Sequence, residues 1–368
     1  MQNNKWKNLS LAIGILFIIG VFYFGAKGRV GVVAHLDYSA KIIENEDGSI
    51  QINGYKLSDK EKEIYLAHKD HNQSDVDDEK LNYFSVDDKP AIIDTSLLLR
   101  GVSLKDGIPS LTDPLFEPIS QNPDFKDTLG LYYENNGEAR WYPYTIMVWH
   151  EIINDNVGGK NIAVTFCPLC GSAVVYDREI KDIPEKGYTT TLHFGVSGLL
   201  YESNLVMYDK ELESLWVQAL GKAVAGELTG VTLDVLPFQL LTKEEVIEKN
   251  PNTKSLSRDT GYNRDYGFYP YGDYDGNDEF IFPTSFVDES FSPKKTMYVV
   301  PFEDKYIAIP YEDIENIHKN FTVGDSVLYV EKVDGEVKVY DDKKILPGYY
   351  EMWFSFSVHH VSDGIVWK

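Results

Sequence analysis

Two cysteines, Cys167 and Cys170, stand three positions apart in "AVTFCPLCGSAVVYDRE" and are the only ones in 368 residues. That spacing suits three chemistries. A dithiol redox centre wants the pair at a helix N-terminus, which lowers the first thiol's pKa. Here a β-branched, alternating stretch follows instead. A disulfide staple is a weak motive, because so short a loop yields little chain-entropy stabilisation. Two sulfurs at this spacing can also face one metal ion, given further ligands. His150 and His193 are the candidates. Together Cys167, Cys170, His150 and His193 make an expected site for a thiophilic ion, copper or zinc, with Met207 as a neighbouring thioether.

The same residues also fit covalent chemistry. Cys167 or Cys170 would attack, His150 or His193 would take the proton, and Glu151 or Asp155 would orient the imidazole. His150 opens "HEIIND", which lacks the second histidine of a zinc-protease helix. Ser197 in "GVSG" resembles the centre of a nucleophile elbow but has G-x-S-G in place of G-x-S-x-G, so a glycine turn serving strand geometry is the plainer reading. Ser203, Asn204 and Asp209 read as polar wall residues, and Trp216 as core. "GDYDGNDE" alternates Asp273, Asp275 and Asn277 like a calcium loop. The glycine falls at Gly276, out of the EF-hand position, so a hydrated acidic turn is preferred. His68 and His71 lie in the acidic stretch "HKDHNQSDVDDEK", read as a hydrated connector. No phosphate-binding glycine motif occurs, which removes nucleotide cofactors.

The elements that must position these residues read as short strands. "LGLYYENNGEARWYPYTIMVWH" gives a strand, a turn and a second strand that leads into a short helix or turn. "GGKNIAVTF" and "GSAVVYDRE" are strands on either side of the CPLC break. Thr242 and Glu245 have capping-box spacing for a helix that ends before Pro251. The expected fold class is mainly β with short helices, a β-rich α+β protein. An internal duplication is expected from the likeness of "GLYYENNGEARWYPYTIM" to "MYVVPFEDKYIAIPYEDI". The second copy carries Glu331, Val333 and Asp334 where the cysteines would fall.

From Leu9 to Ala26 eighteen residues carry no charge, about 27 Å as a helix. This segment is expected to be a transmembrane signal-anchor at 9–26, after a cytoplasmic 1–8. The lipid bilayer is then a partner, and the product is a single-pass membrane protein with an extracytoplasmic body. Secretion after signal cleavage is the alternative. Residues 27–90 would be a membrane-proximal segment and acidic connector, 91–275 a core with the Cys/His motifs, and 276–368 a second β-rich unit. The formal charge of −23 repels polyanions, so nucleic acid is excluded as a partner.

Five ordered motifs carry a resemblance: "DGIPSLTDP", "GEARWYPYTIMVWHEIINDNVGG", "VTFCPLCGSAVVYDR", "FGVSGLLYESNLVMYDKELESLW" and "DTGYNRDYGFYPYGDY". They resemble the DUF3179 domain family, mostly exported or membrane-associated prokaryotic proteins, strongly over 95–270 and more loosely at "MWFSFSVHH". The resemblance implies recurrent positions at His150, Glu151, Asn154, Asp155, Cys167, Cys170, Ser197, Ser203, Asp209 and Trp216. It implies no reaction, and His359 and His360 are left outside the site. The expected function is a membrane-anchored extracytoplasmic protein with a Cys/His metal site, extending to redox work. The alternatives are a thiol-dependent enzyme, by disulfide exchange or cysteine hydrolysis, and a non-catalytic binding or scaffold module.

Overall fold

A computed structural model describes residues 42–70, 89–180, 190–314, 319–333, 336–341 and 344–367. An eight-stranded sheet forms its centre. In spatial order its strands are Gly364–Val366, Lys305–Pro310, Thr296–Phe302, Tyr349–Met352, Ser172–Asp177, Lys160–Cys167, Ile152–Val157 and Leu111–Thr112. Ser172–Asp177 is buried at every position, so this part of the sheet is covered on both faces and its sequence runs apolar without alternating. The join at Ala173 and Tyr350 ties segment 91–275 to segment 276–368 within one sheet.

Two five-stranded sheets flank the site. One is ordered Lys222–Ala225, Leu215–Val217, Asn204–Asp209, Phe194–Tyr201 and Leu98–Arg100. The other is ordered Gln239–Thr242, Leu129–Asn135, Glu138–Pro143, Lys254–Leu256 and Phe116–Pro118. The fold is mainly β with short helices, as expected: among the described residues the helices are Asp59–Asp70, Tyr144–His150, Lys243–Lys249 and Trp353–His359.

The hairpin Leu129–Asn135/Glu138–Pro143 turns through Asn136 and Gly137, both at positive φ. That is the conformation its Asn-Gly pair supplies at least cost. Thr242 and Glu245 form the full capping box of Lys243–Lys249. After Pro143 come a helix and three strands, and after Pro310 come a 3₁₀ turn and three strands. The likeness stops at this order: the first three strands lie in the central sheet, while the later three lie in a separate four-stranded sheet.

Two sequence readings of the N-terminal region change. Helix Asp59–Asp70 extends into the start of the stretch read as a connector, and His71 lies outside the described residues. The membrane-spanning helix is not supported. No helix among the described residues is long and apolar enough to cross a membrane, and 9–26 itself lies outside them. We therefore withdraw the signal-anchor, the bilayer as partner and the single-pass membrane location.

Candidate functional site

The strand Lys160–Cys167 ends at the first cysteine, and Cys170 N–H closes the turn onto Cys167 O at 3.2 Å. Pairing resumes at once, with Cys167 opposite Ser172. CPLC is thus the tip of a β-hairpin, with no helix behind it to supply a dipole. Gly171 takes φ +55° there, and a Cβ would press on Met352. Both cysteines are free thiols, 1% and 0% exposed.

Both thiols point at one acceptor. Cys170 Sγ donates to Ser203 O at 3.2 Å, and Cys167 Sγ lies 3.9 Å from the same oxygen. Ser203 and Glu202 form the tight turn between Phe194–Tyr201 and Asn204–Asp209, both with positive φ, a cost of roughly 1–3 kcal/mol for each non-glycine residue. Beside it Asn204 donates to Gln218 Oε1 at 3.1 Å and accepts from Ala219 N–H at 3.0 Å. Gln218 in turn donates to Thr165 Oγ1 at 2.9 Å. This polar chain joins the central sheet to the neighbouring one beneath the cysteines.

The two thiols differ electrostatically. Burial raises Cys167, but the Cys170 side chain and backbone N–H groups around it outweigh burial and hold the thiol below its ordinary value. Burial and the adjacent Cys167 push Cys170 well up. Glu151 follows helix Tyr144–His150 at φ +58°, where burial and then Cys167 raise its carboxyl well above the usual range. Glu351, 0% exposed, is pushed up to about 8 by burial, with Cys167 adding to the effect. Its two carboxyl oxygens have no hydrogen-bond partner among the described residues, and the Ser355 and Tyr349 hydroxyls offset only part of the rise. Burial thus favours the protonated form of both acids near the cysteines.

The histidines are elsewhere. His150 Nδ1–H donates to Pro109 O at 2.7 Å, and its Nε2 accepts from Tyr266 Oη at 2.8 Å. Burial lowers its pKa to about 4, so the ring is neutral. His193 pairs with Glu211, Nδ1 to Oε1 at 2.8 Å, at a half-exposed edge. Among the described residues no three His, Cys, Asp or Glu side chains are grouped to hold a metal. The expected copper or zinc site of Cys167, Cys170, His150 and His193 is therefore overturned. Each imidazole is already held by partners outside the sulfur pocket. Asp155 orients neither of them: it accepts from Tyr142 Oη at 2.7 Å and Asn156 N–H at 2.8 Å. Of the residues singled out from the sequence, only Cys167, Cys170, Glu151, Ser203 and Asn204 come together.

The remaining motif residues are likewise engaged internally. Ser197 Oγ donates to Val206 O at 2.5 Å and accepts from Leu199 N–H at 3.0 Å, inside a strand irregularity between Val196 and Leu200. Asp209 accepts from Trp216 Nε1 at 2.9 Å and Leu212 N–H at 2.6 Å. Met207 lies opposite Trp216 in the sheet. In the acidic loop a protein cation takes the place a calcium ion would need. Lys294 Nζ donates to Tyr274 O, and to Glu279 O at 2.8 Å, and it sits 3.3 Å from the centre of the Tyr274 ring.

A family model described as a protein of unknown function (DUF3179) matches residues 105–360. The chain belongs to the DUF3179 family. The match continues past residue 270 to take in Glu351 and the "MWFSFSVHH" stretch, so the DUF3179 region contains every residue of the sulfur pocket. No curated protein matches the chain, and no solved structure does. Sequence reasoning missed Glu351, Tyr274, Gln218 and Ser355. For Glu351 a signal existed: an acid inside the aromatic run "YYEMWFSF" is a buried polar group in the making.

Proposed function

We propose that this DUF3179 chain is a non-catalytic binding or scaffold module, whose cysteine pair shapes a junction between sheets. One observation carries the reading: the two thiols share the Ser203 carbonyl as acceptor, enclosed at 1% exposure or less. A nucleophile or dithiol donor needs an open approach to sulfur and an ionised neighbour to take its proton. In this closed arrangement burial raises the carboxyls of both Glu151 and Glu351, which disfavours either as the base. The other motif residues support the same reading, since each bonds to backbone or side chains that set the fold.

The test is turnover. Full-length protein is incubated with dithiothreitol and a disulfide substrate such as insulin, beside the Cys167→Ser/Cys170→Ser variant. The expected result is equal, background reduction in both. Turnover in the native chain well above the double variant would overturn the scaffold reading.

A further inference from the structure

Between Leu256 and Thr296 the chain forms no strand, only the 3₁₀ turn Tyr274–Gly276. Structureless connections beyond roughly 12–15 residues are uncommon in compact domains, and many serve as lids or binding loops. This one crosses the sulfur pocket. Its two ends are pinned by main-chain bonds, Ser257 N–H to Leu115 O and Phe354 N–H to Pro293 O, both 2.9 Å. Between them the main-chain bonds among the described residues are local turns. The middle is held by aromatic packing, with Tyr266 and Tyr274 in the core and Phe280 and Phe291 against Phe354 and Trp353, and by a set of side-chain latches.

Tyr266 Oη bonds His150 Nε2 at 2.8 Å. Tyr274 Oη donates to Leu169 O, inside CPLC itself, at 2.8 Å. Ser203 Oγ donates to Phe282 O at 2.9 Å, while its own carbonyl holds the thiols. Glu202 accepts from Ser285 N–H at 2.7 Å, Ser285 Oγ at 2.6 Å and Thr284 Oγ1 at 3.1 Å. The Glu202–Ser203 turn thus grips the cysteines with one group and the crossing segment with two others. A segment held by side chains over a sheet held by ladders opens at lower free energy than the sheet.

We propose that residues 257–295 are a lid over Cys167 and Cys170, and that lifting it makes the pair a two-electron donor to disulfides. The scaffold reading describes the closed molecule; the lid adds what the open one does. With a disulfide R–S–S–R the Cys167 thiolate attacks one sulfur, forming Cys167–S–S–R and expelling RS⁻. The Cys170 thiolate then attacks the Cys167 sulfur, leaving a Cys167–Cys170 disulfide and a second RS⁻. The two thiols give two electrons to the disulfide and two protons to the solvent that the open lid admits. The opposite shifts of the two thiols give the order of attack, with the lower one first.

The probe is 5,5′-dithiobis(2-nitrobenzoate) in excess over the reduced full chain. Native protein is expected to release two thionitrobenzoates per chain, slowly, at a rate that stops rising with reagent. Glu202→Ala, Tyr274→Phe and Tyr266→Phe each remove a latch and are expected to speed release about tenfold or more, on the scale of one hydrogen bond lost at a gate. Hydrogen exchange over 160–177 should stay as in the native chain. Val246→Ala, outside the lid in the separate cluster of Ile119, Trp141 and Leu241, is the control and should not speed release. The native chain provides a second check: urea should raise the thiol rate with a much smaller slope than that of global unfolding. Latch variants reacting at the native rate, acceleration matched by Val246→Ala, or a urea slope equal to that of global unfolding would each overturn the lid. Opening is expected to be too slow to raise insulin turnover above background, so turnover bears on the scaffold reading and single-round thiol release on the lid, and the two fail separately.

Discussion

Asn154 and Phe194 exchange two hydrogen bonds, Asn154 Nδ2 to Phe194 O and Phe194 N–H to Asn154 Oδ1, both 2.9 Å. One side-chain amide thereby acts as a ladder rung between Ile152–Val157 of the central sheet and Phe194–Tyr201 of its neighbour. Asn154→Ala strands a buried donor and a buried acceptor. Each unpaired group costs about 1–3 kcal/mol, so the loss is expected at about 2–6 kcal/mol. Denaturant unfolding measures it; a change below about 1 kcal/mol would refute the rung.

Ser197 makes a sharper case, because its motif invites a catalytic reading. Ser197→Ala leaves Val206 O without its donor and Leu199 N–H without its acceptor. The expected effect is a loss of about 1–3 kcal/mol of stability. A variant as stable as the native chain would return Ser197 to the list of nucleophiles.

Glu351 predicts a slope on the alkaline side. Its folded pKa, about 8, lies above the ordinary 4.5, so the native state binds the proton more tightly than the unfolded chain does. The stabilisation is full below pH 4.5 and is lost as pH rises through 8, by at most roughly 5 kcal/mol at 1.4 kcal/mol per unit. Glu351→Gln keeps the shape and removes the titration. Unfolding free energies from pH 5 to 9 should therefore fall less steeply in the variant, and parallel curves would count against this buried acid.

On the acid side the sign reverses. His150 drops from 6.5 to about 4 on folding, so its contribution is present above pH 6.5 and is lost as pH falls toward 4, by roughly 3 kcal/mol. His150→Gln should flatten the native chain's acid destabilisation in that window. Thermal melts between pH 4 and 7 report the difference, and an unchanged slope would show that His150 does not titrate on unfolding.

Local features were legible before the structure. The Asn136–Gly137 turn, the short helix after Pro143, the strands on both sides of CPLC and the Thr242 capping box each depend on neighbours within a few positions. What could not be read was orientation and distant pairing. His150 ends its helix with the ring turned to Pro109 and Tyr266, a choice fixed by loops far along the chain. Glu351 reaches the cysteines only because Tyr350 pairs with Ala173, and no periodicity encodes that. The metal reading failed for this reason. It supplied ligands of the right type without a rule for where their side chains would face.

The placement of Tyr349–Met352 carries a consequence for biosynthesis. This late strand lies between Ser172–Asp177 and Thr296–Phe302, so the central sheet is closed by one of its last pieces. Until that piece leaves the ribosome, two strand edges stand open in the nascent chain, the kind of edge on which aggregation begins. Shielding those edges during translation would therefore favour production, and a stop before residue 349 is expected to give a less soluble fragment in place of a smaller domain.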